Sequence, residues 1–403
     1  MSSAIRSVSS AISGAKIARD GRSLSFEQAE AALQSREQLL EMGGSERSIA
    51  RQVAVGELQR IRRGWYVDKL LWNGLWPENK HLLHIIAAHR DSRGARPIFS
   101  FESAAVLWGI RLYRFLPGRV HITVPAPQQS RSGADVMRHE GRLMGDDVVE
   151  RYGMRCTSLH RTVLDLTRTL SWEQAVVCAD AALRRAAVVG QEQHEDRALQ
   201  WREQMREISA GSGTRGIRQA RRAIEYADGR AQRPGESVSR VQLHRLGFRR
   251  VALQVPVRGP AGQDYRVDFG LEDARALGEF DGEIKYTDAS MRGGLTIQEV
   301  VLAEKRREDW IRGVTQRSLA RWEYPPTLHA PNYWDAALPS SASRHPAADS
   351  PRRRPTFPDP VSSRRAGMKS GAAFIQARRQ GTGSANPSGR QALIWGSGGS
   401  GLQ

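Results

Sequence analysis

The chain has 403 residues, with 61 Lys and Arg against 43 Asp and Glu, a formal net charge of +18. That length exceeds one ordinary core and predicts two or three domains, while the positive excess points to a polyanionic partner, most simply nucleic acid. No stretch approaches the ~20 apolar residues of a membrane span, so no membrane partner is expected, and Cys156 and Cys178 lack metal or redox spacing, which suits core positions in a reducing, cytoplasmic setting.

Residues 1–22 contain basic residues without a continuous apolar run, which argues against a secretory signal and reads as a disordered extension. Ser25–Gln28 and Ser35–Gln38 are both S-x-x-Q, the reciprocal cap that starts a helix. Gly43-Gly44 breaks the second helix. Ser45 caps a third, with Ile49 and Val53 facing inward and Gly56 placed to end it. Residues 58–67 alternate as a hairpin about Gly64. Short helices followed by a basic hairpin predict a winged helix-turn-helix over 23–70. Arg47 and Arg51 on the third helix, and Arg60, Arg62 and Arg63 on the wing, are the candidate DNA contacts. The alternative is a small helical domain whose arginines are merely solvated.

Over 71–190 the pattern predicts a mixed α/β region. His81, His84 and His89 lie among Trp72, Leu75, Trp76, Leu82 and Leu83, so a core helix is expected in preference to a zinc site, which needs three or four ligands. Ser100 or Ser103 caps a helix holding Ala104, Ala105 and Leu107. Val120, Ile122 and Val124 make a strand stopped by Pro125. Val163, Leu164 and Leu166 build a buried helix, on which Arg161 and Asp165 form a structural i,i+4 pair. Ser171–Gln174 is a further capping box. The basic-hairpin segment together with SFESAAVLWGI (100–110), VHITVPAP (120–127), TSLHRTVLDLTR (157–168) and VVCADAALRR (176–185) resembles the AbiEi family of antitoxins. The resemblance implies a DNA-binding autorepressor and a cognate toxin protein as partner.

Residues 191–235 read as a helical linker with a Gly/Ser break at SAGSGTRG (209–216). Pro234-Gly235 introduces a helix from Glu236 to Leu246. A strand from Arg249 carries Gln254, to which the sequence assigns no role. Tyr265, Val267 and Phe269 then alternate with Arg266, Asp268 and Gly270 as a strand with one apolar face. In the next strand Glu279, Asp281, Glu283 and Lys285 share one side, Phe280 and Ile284 the other. Carboxylates in line repel one another unless a hard divalent cation draws them together. The alternative is a solvent-facing sheet without chemistry. The helix over about 296–312 should bury Ile297, Val300, Val301, Trp310 and Ile311, and set Lys305 or Arg307 near a phosphate. Residues 318–324 close the sheet as an edge strand. From Pro339 the tail (339–403) holds ten Lys and Arg against two Asp and reads as disordered and basic, adding non-specific polyanion affinity.

PGESVSR (234–240), VDF (267–269), GEFDGEIKY (278–286) and AEKRREDW (303–310) resemble the very-short-patch-repair-like endonuclease domains common in actinobacteria, a branch of the PD-(D/E)XK superfamily. The resemblance implies a restriction-endonuclease-like α/β sheet over 236–330, with Mg²⁺ or Mn²⁺ on Asp268 and Glu279 and with Glu236 able to join them. Asp281 stands where that fold's lysine usually sits. A literal E-x-K occurs later, at Glu283–Lys285, so Lys285 or Lys305 is the candidate replacement and both registers stay open. The catalytic candidates are therefore Asp268, Glu279, Asp281, Lys285 and Glu236. The fold expected is multidomain α+β. The function expected is a DNA-binding, metal-dependent endonuclease, with a catalytically inert AbiEi-like regulator as the alternative and a protein-binding adaptor as a third class.

Overall fold

The computed structural model describes residues 22–92, 96–116, 118–124, 132–211, 213–281 and 296–323, which fall in one compact unit. The predicted extension before Arg22, the basic tail, Glu283 and Lys285 lie outside the described residues. The architecture is mixed α+β, with separate sheets along the chain.

Local chemistry sets the first elements. Helix α1 (Phe26–Ala32) and helix α2 (Arg36–Glu41) open on full capping boxes at Ser25/Gln28 and Ser35/Gln38, and α3 (Glu46–Ala54) on Ser45 with Ser48. Strand β1 (Gln34–Ser35) pairs with β3 (Trp65–Asp68), which pairs with β2 (Leu58–Arg62). Gly64 takes φ +80 in the β2–β3 turn, a conformation open to glycine at no steric cost.

Helices α4 (Lys69–Gly74) and α5 (Pro77–Arg90) lead into β4 (Ile98–Phe99), α6 (Phe101–Leu107), β5 (Val120–Val124), β6 (Val136–Glu140), β7 (Val148–Arg151) and β8 (Met154–Thr157). The strands form one mixed sheet in the order β6-β5-β4-β8-β7. Ala29, Leu33, Ile61 and Val67 pack in the same cluster as Leu83, Ile86, Phe99, Val120 and Met154, so the N-terminal helices and hairpin share a core with this sheet. Ser100 precedes α6 but forms no side-chain cap, and Ser103 is buried within that helix.

Helices α7 (Leu159–Thr169) and α8 (Trp172–Ala187), the ribbon β9 (Val188–Val189) and β10 (Glu192–Gln193), and helices α9 (Glu195–Ala210) and α10 (Ile217–Tyr226) follow. The stretch expected as a linker is packed instead: Trp201, Met205, Ala220 and Ile224 share a cluster with Leu166, Cys178 and Leu183. Burying one apolar stripe per helix is the reason, because a lone helix would leave that stripe in water.

Helix α11 (Pro234–Arg245) precedes a four-stranded sheet, β11 (Val251–Arg258), β12 (Asp264–Leu271), β13 (Ala276–Phe280) and β14 (Ser318–Trp322), in that order, with α12 (Ile297–Thr315) between β13 and β14. The first three strands run antiparallel, and β14 lies parallel to β13. Leu253, Phe269, Phe280, Ala320 and Trp322 pack with Leu243 of α11. Val257, Val267, Leu277 and Leu319 pack with Ile311 of α12. Gly278 is required here, because a Cβ would run into the Trp322 ring.

Two sequence expectations change in this sheet. Val267 and Phe269 fall in different clusters, Val267 with Ile311 of α12 and Phe269 with Leu243 of α11. Strand β13 ends at Phe280, yet the Asp281 N–H still donates to the Trp322 carbonyl, and Asp281 shares Arg321 with Glu279. Helix α12 buries Ile311 against the sheet, but Val301 is 51% exposed and Trp310 37%. Among the described residues no helix is long and apolar enough to cross a membrane.

Candidate functional site

The predicted carboxylates meet where α11, β11, β12 and β13 approach one another. The β12–β13 ladder runs to the Phe269–Gly278 pair, and Asp268 and Glu279 follow just beyond it, close enough for the Asp268 charge to act on Glu279. Asp268 Oδ2 accepts the Phe280 amide N–H at 2.9 Å. On the other side, the Leu253–Phe269 and Val255–Val267 pairs set Gln254 opposite Asp268. Gln254 has φ +53 and is buried. A left-handed, non-glycine residue within a strand costs on the order of 1–3 kcal/mol and persists only when its surroundings enforce it.

Gln254 Nε2 donates to Glu236 Oε2 at 3.1 Å and to Asp268 Oδ1 at 3.4 Å, and its Oε1 accepts Gln232 Nε2 at 2.9 Å. Glu236, near the start of α11, is 3% exposed and also accepts the Gln232 amide at 2.8 Å. Burial, and then the nearby charge of Asp268, push the Glu236 carboxyl up to about 7.

Glu279 is 4% exposed and carries its own counter-charges. Arg307 Nη1 of α12 lies 2.7 Å from Oε1. Arg321 Nη2 of β14, its cross-strand neighbour, lies 2.9 Å from Oε2. The second contact is an ion pair without an aligned N–H, because Oε2 has no hydrogen bond of good geometry. Burial still holds the Glu279 carboxyl above its usual range, with the two guanidinium groups opposing it. Glu304 touches both arginines, and Arg321 also reaches Asp281 at 3.4 Å. Arg307 Nη2 donates to the Arg266 carbonyl at 2.9 Å. Lys305 is exposed, and the described cations on Glu279 are these arginines.

Asp268 and Glu279, the predicted metal pair, and Glu236 are thus neighbours. No three His, Cys, Asp or Glu side chains among the described residues close on one point tightly enough to hold an ion by themselves. Mg²⁺ asks for less: it binds through one or two carboxylates and keeps its waters. Glu236 and Asp268, which share the Gln254 amide donor, are the described residues that could hold such an ion.

The predicted DNA contacts divide. Arg47, Arg51, Arg60 and Arg63 are exposed, and none forms an ion pair among the described residues. Arg62 is committed internally, to Asp91 at 3.0 Å and Asp135 at 2.8 Å. In the middle region the Arg161–Asp165 pair forms at 2.9 Å, and both cysteines are buried. His81 is a core residue: its Nε2 lies 2.8 Å from Ser103 Oγ, and burial pushes its pKa down to about 3. Cavities of ≈ 220 and ≈ 280 Å³ open beside Glu102 and Arg245, and neither is lined by Asp268, Glu236 or Glu279.

No family model matches the chain. Two uncharacterized proteins of Mycobacterium tuberculosis, MT2308 of strain CDC 1551 / Oshkosh and Rv2248 of strain ATCC 25618 / H37Rv, are each 29% identical to it over 219 residues, 52% of this chain and 72% of theirs. The crystal structure of the RV2827C protein from Mycobacterium tuberculosis is 14% identical, with a TM-score of 0.32 over 59% of this chain and 80% of that one.

Sequence reasoning missed Gln254, Arg321 and Glu304. Arg321 had a signal: it sits in a short strand two residues after Leu319, where alternation calls for a second apolar side chain. Gln254 had none beyond being polar inside an apolar strand.

Proposed function

We propose that the chain is a DNA-binding protein whose C-terminal sheet is a PD-(D/E)XK-like endonuclease domain, hydrolysing phosphodiester bonds with Mg²⁺ or Mn²⁺. The observation that carries the reading is Asp268, set between Glu236 and Glu279 by strand register and by the Gln254 amide. Asp268 would hold the ion with Glu236 or Glu279, and the ion would supply Lewis-acid stabilisation of charge at phosphorus and a more acidic water. Glu236 is suited to take a proton at its Oε atoms near neutral pH, since its carboxyl titrates at about 7. Arg307 and Arg321 would meet the growing negative charge of the phosphate. The test is plasmid DNA with Mn²⁺: nicking is expected from the wild type and should be lost in Asp268→Ala and in Glu279→Ala. Undiminished nicking by both variants rules out this site.

The N-terminal helices and hairpin support a winged helix-turn-helix reading, with Arg47 and Arg51 on α3 and Arg60 and Arg63 on the β2–β3 hairpin directed to phosphates. Removing one phosphate-binding arginine should flatten the dependence of log K on log salt by about one unit. Arg47→Ala/Arg51→Ala is therefore expected to bind duplex DNA more weakly and with a slope shallower by about two, measured by fluorescence anisotropy across a salt series. An unaltered slope removes α3 from the interface.

One observation favours a second reading. The double arginine clamp on Glu279 neutralises a carboxylate that a metal would use. An AbiEi-like autorepressor with an inert sheet and a toxin partner would show intact plasmid alongside salt-sensitive binding to its own promoter.

A further inference from the structure

We propose that Gln254 is a positioning residue: its single amide fixes Glu236 and Asp268 relative to one another. The consequence for cation binding rests on the endonuclease reading above, but the positioning itself does not. An amide NH₂ has two hydrogens, and here each goes to a different carboxylate, Glu236 Oε2 at 3.1 Å and Asp268 Oδ1 at 3.4 Å. This orientation is the one that satisfies both carboxylates in their charged form. A flipped amide would set its oxygen against both carboxylates and its NH₂ against the Gln232 side-chain NH₂, which now donates to Oε1 at 2.9 Å.

The backbone supports the same assignment. Gln254 holds φ +53 between two pairs that keep regular register, Leu253–Phe269 and Val255–Val267. At this level the β12 side chains switch from the α12 cluster to the α11 cluster. A strained conformation over a polar cluster is the arrangement seen where a side chain must be aimed. An apolar residue here would leave the buried Glu236 and the half-buried Asp268 without their shared donor, and Glu would add a third negative charge.

Glycine separates the two roles of the position, because it adopts φ +53 without strain and has no amide side chain. The charged groups facing Glu236 are Asp268 from β12 and Arg233 ahead of α11, and neither changes in Gln254→Gly. In crystals of metal-free full-length Gln254→Gly, the Glu236 and Asp268 carboxylates should leave the positions they hold in the wild type while β11 and β12 keep their register. Mn²⁺ affinity, measured by calorimetry, should fall by roughly tenfold or more in the same variant. Carboxylates that stay in place in a folded Gln254→Gly protein overturn the proposal. Displaced carboxylates in a protein whose wild type binds no Mn²⁺ uphold the positioning role and sink the endonuclease reading. Should Gln254→Gly fail to fold, Gln254→Asn decides: Asn tolerates the left-handed region but its shorter amide cannot span both carboxylates, so they should again shift.

Discussion

Asp180→Ala is expected to destabilise the protein by about 3–5 kcal/mol, the cost of leaving a buried charge without its partner. Asp180 on α8 and Arg240 on α11 have side chains only 1% and 6% exposed. Arg240 Nη2 donates to Asp180 Oδ1 at 2.7 Å and Oδ2 at 2.9 Å, and Nη1 to the Tyr226 carbonyl at 2.8 Å. Its guanidinium also lies 4.1 Å over the Tyr226 ring, and Asp180 Oδ1 accepts the Asp228 amide at 2.8 Å. Burial works against the Arg240 charge, but the Asp180 carboxylate outweighs it and holds the guanidinium charged. The alanine variant keeps that charge and removes its main acceptor. Asp180→Leu combined with Arg240→Met should recover most of the stability, because burying neither charge avoids the desolvation cost. Urea denaturation of the single and double variants checks both statements. A single-variant effect below about 1 kcal/mol would mean that the pair is solvated and the helices are not locked together here.

The second large effect lies at Glu236. Its folded carboxyl titrates at about 7 against the ordinary 4.5, so the folded state binds that proton more tightly than the unfolded chain. The associated stability is fully present below 4.5 and is lost as pH rises to about 7. The difference corresponds to about 3 kcal/mol. Glu236→Gln keeps an acceptor for the Gln232 amide and carries no charge, so in chelator it should be more stable than wild type at pH 8 and equal to it at pH 4. Thermal melts at the two pH values read the effect. Equal stability at pH 8 would show that the carboxylate is well solvated. Mn²⁺ should reverse the order at pH 8, because a bound cation stabilises the charged form that the wild type alone can offer.

Elements governed by neighbours in sequence were legible. The helix starts at Ser25, Ser35, Ser45 and Ser171 follow from hydroxyl and amide groups three residues apart. The carboxylates of the site were legible too, since Asp268 and Glu279 stand out against apolar surroundings. What failed depended on partners far along the chain. Period-2 reading put Val267 and Phe269 on one face, but the two fall in different clusters beside the left-handed Gln254 of the adjacent strand, and no local pattern announces a strained glutamine. The apolar count of α12 gave no hint that Val301 would stay exposed, because the sheet reaches only part of that helix. Lys305 and Arg307 were equal candidates by sequence, and it is Arg307, together with Arg321, that reaches Glu279.

The parallel pairing of β14 with β13 has a consequence for biosynthesis. Arg321 enters its place beside Glu279 only after α12 has crossed back along the sheet. While the nascent chain emerges, β13 is an open edge carrying an acid that has yet to meet its cation. Closure by residues as late as 318–322 would make the C-terminal sheet among the last parts of the described chain to mature, and would delay any chemistry there until synthesis has passed it.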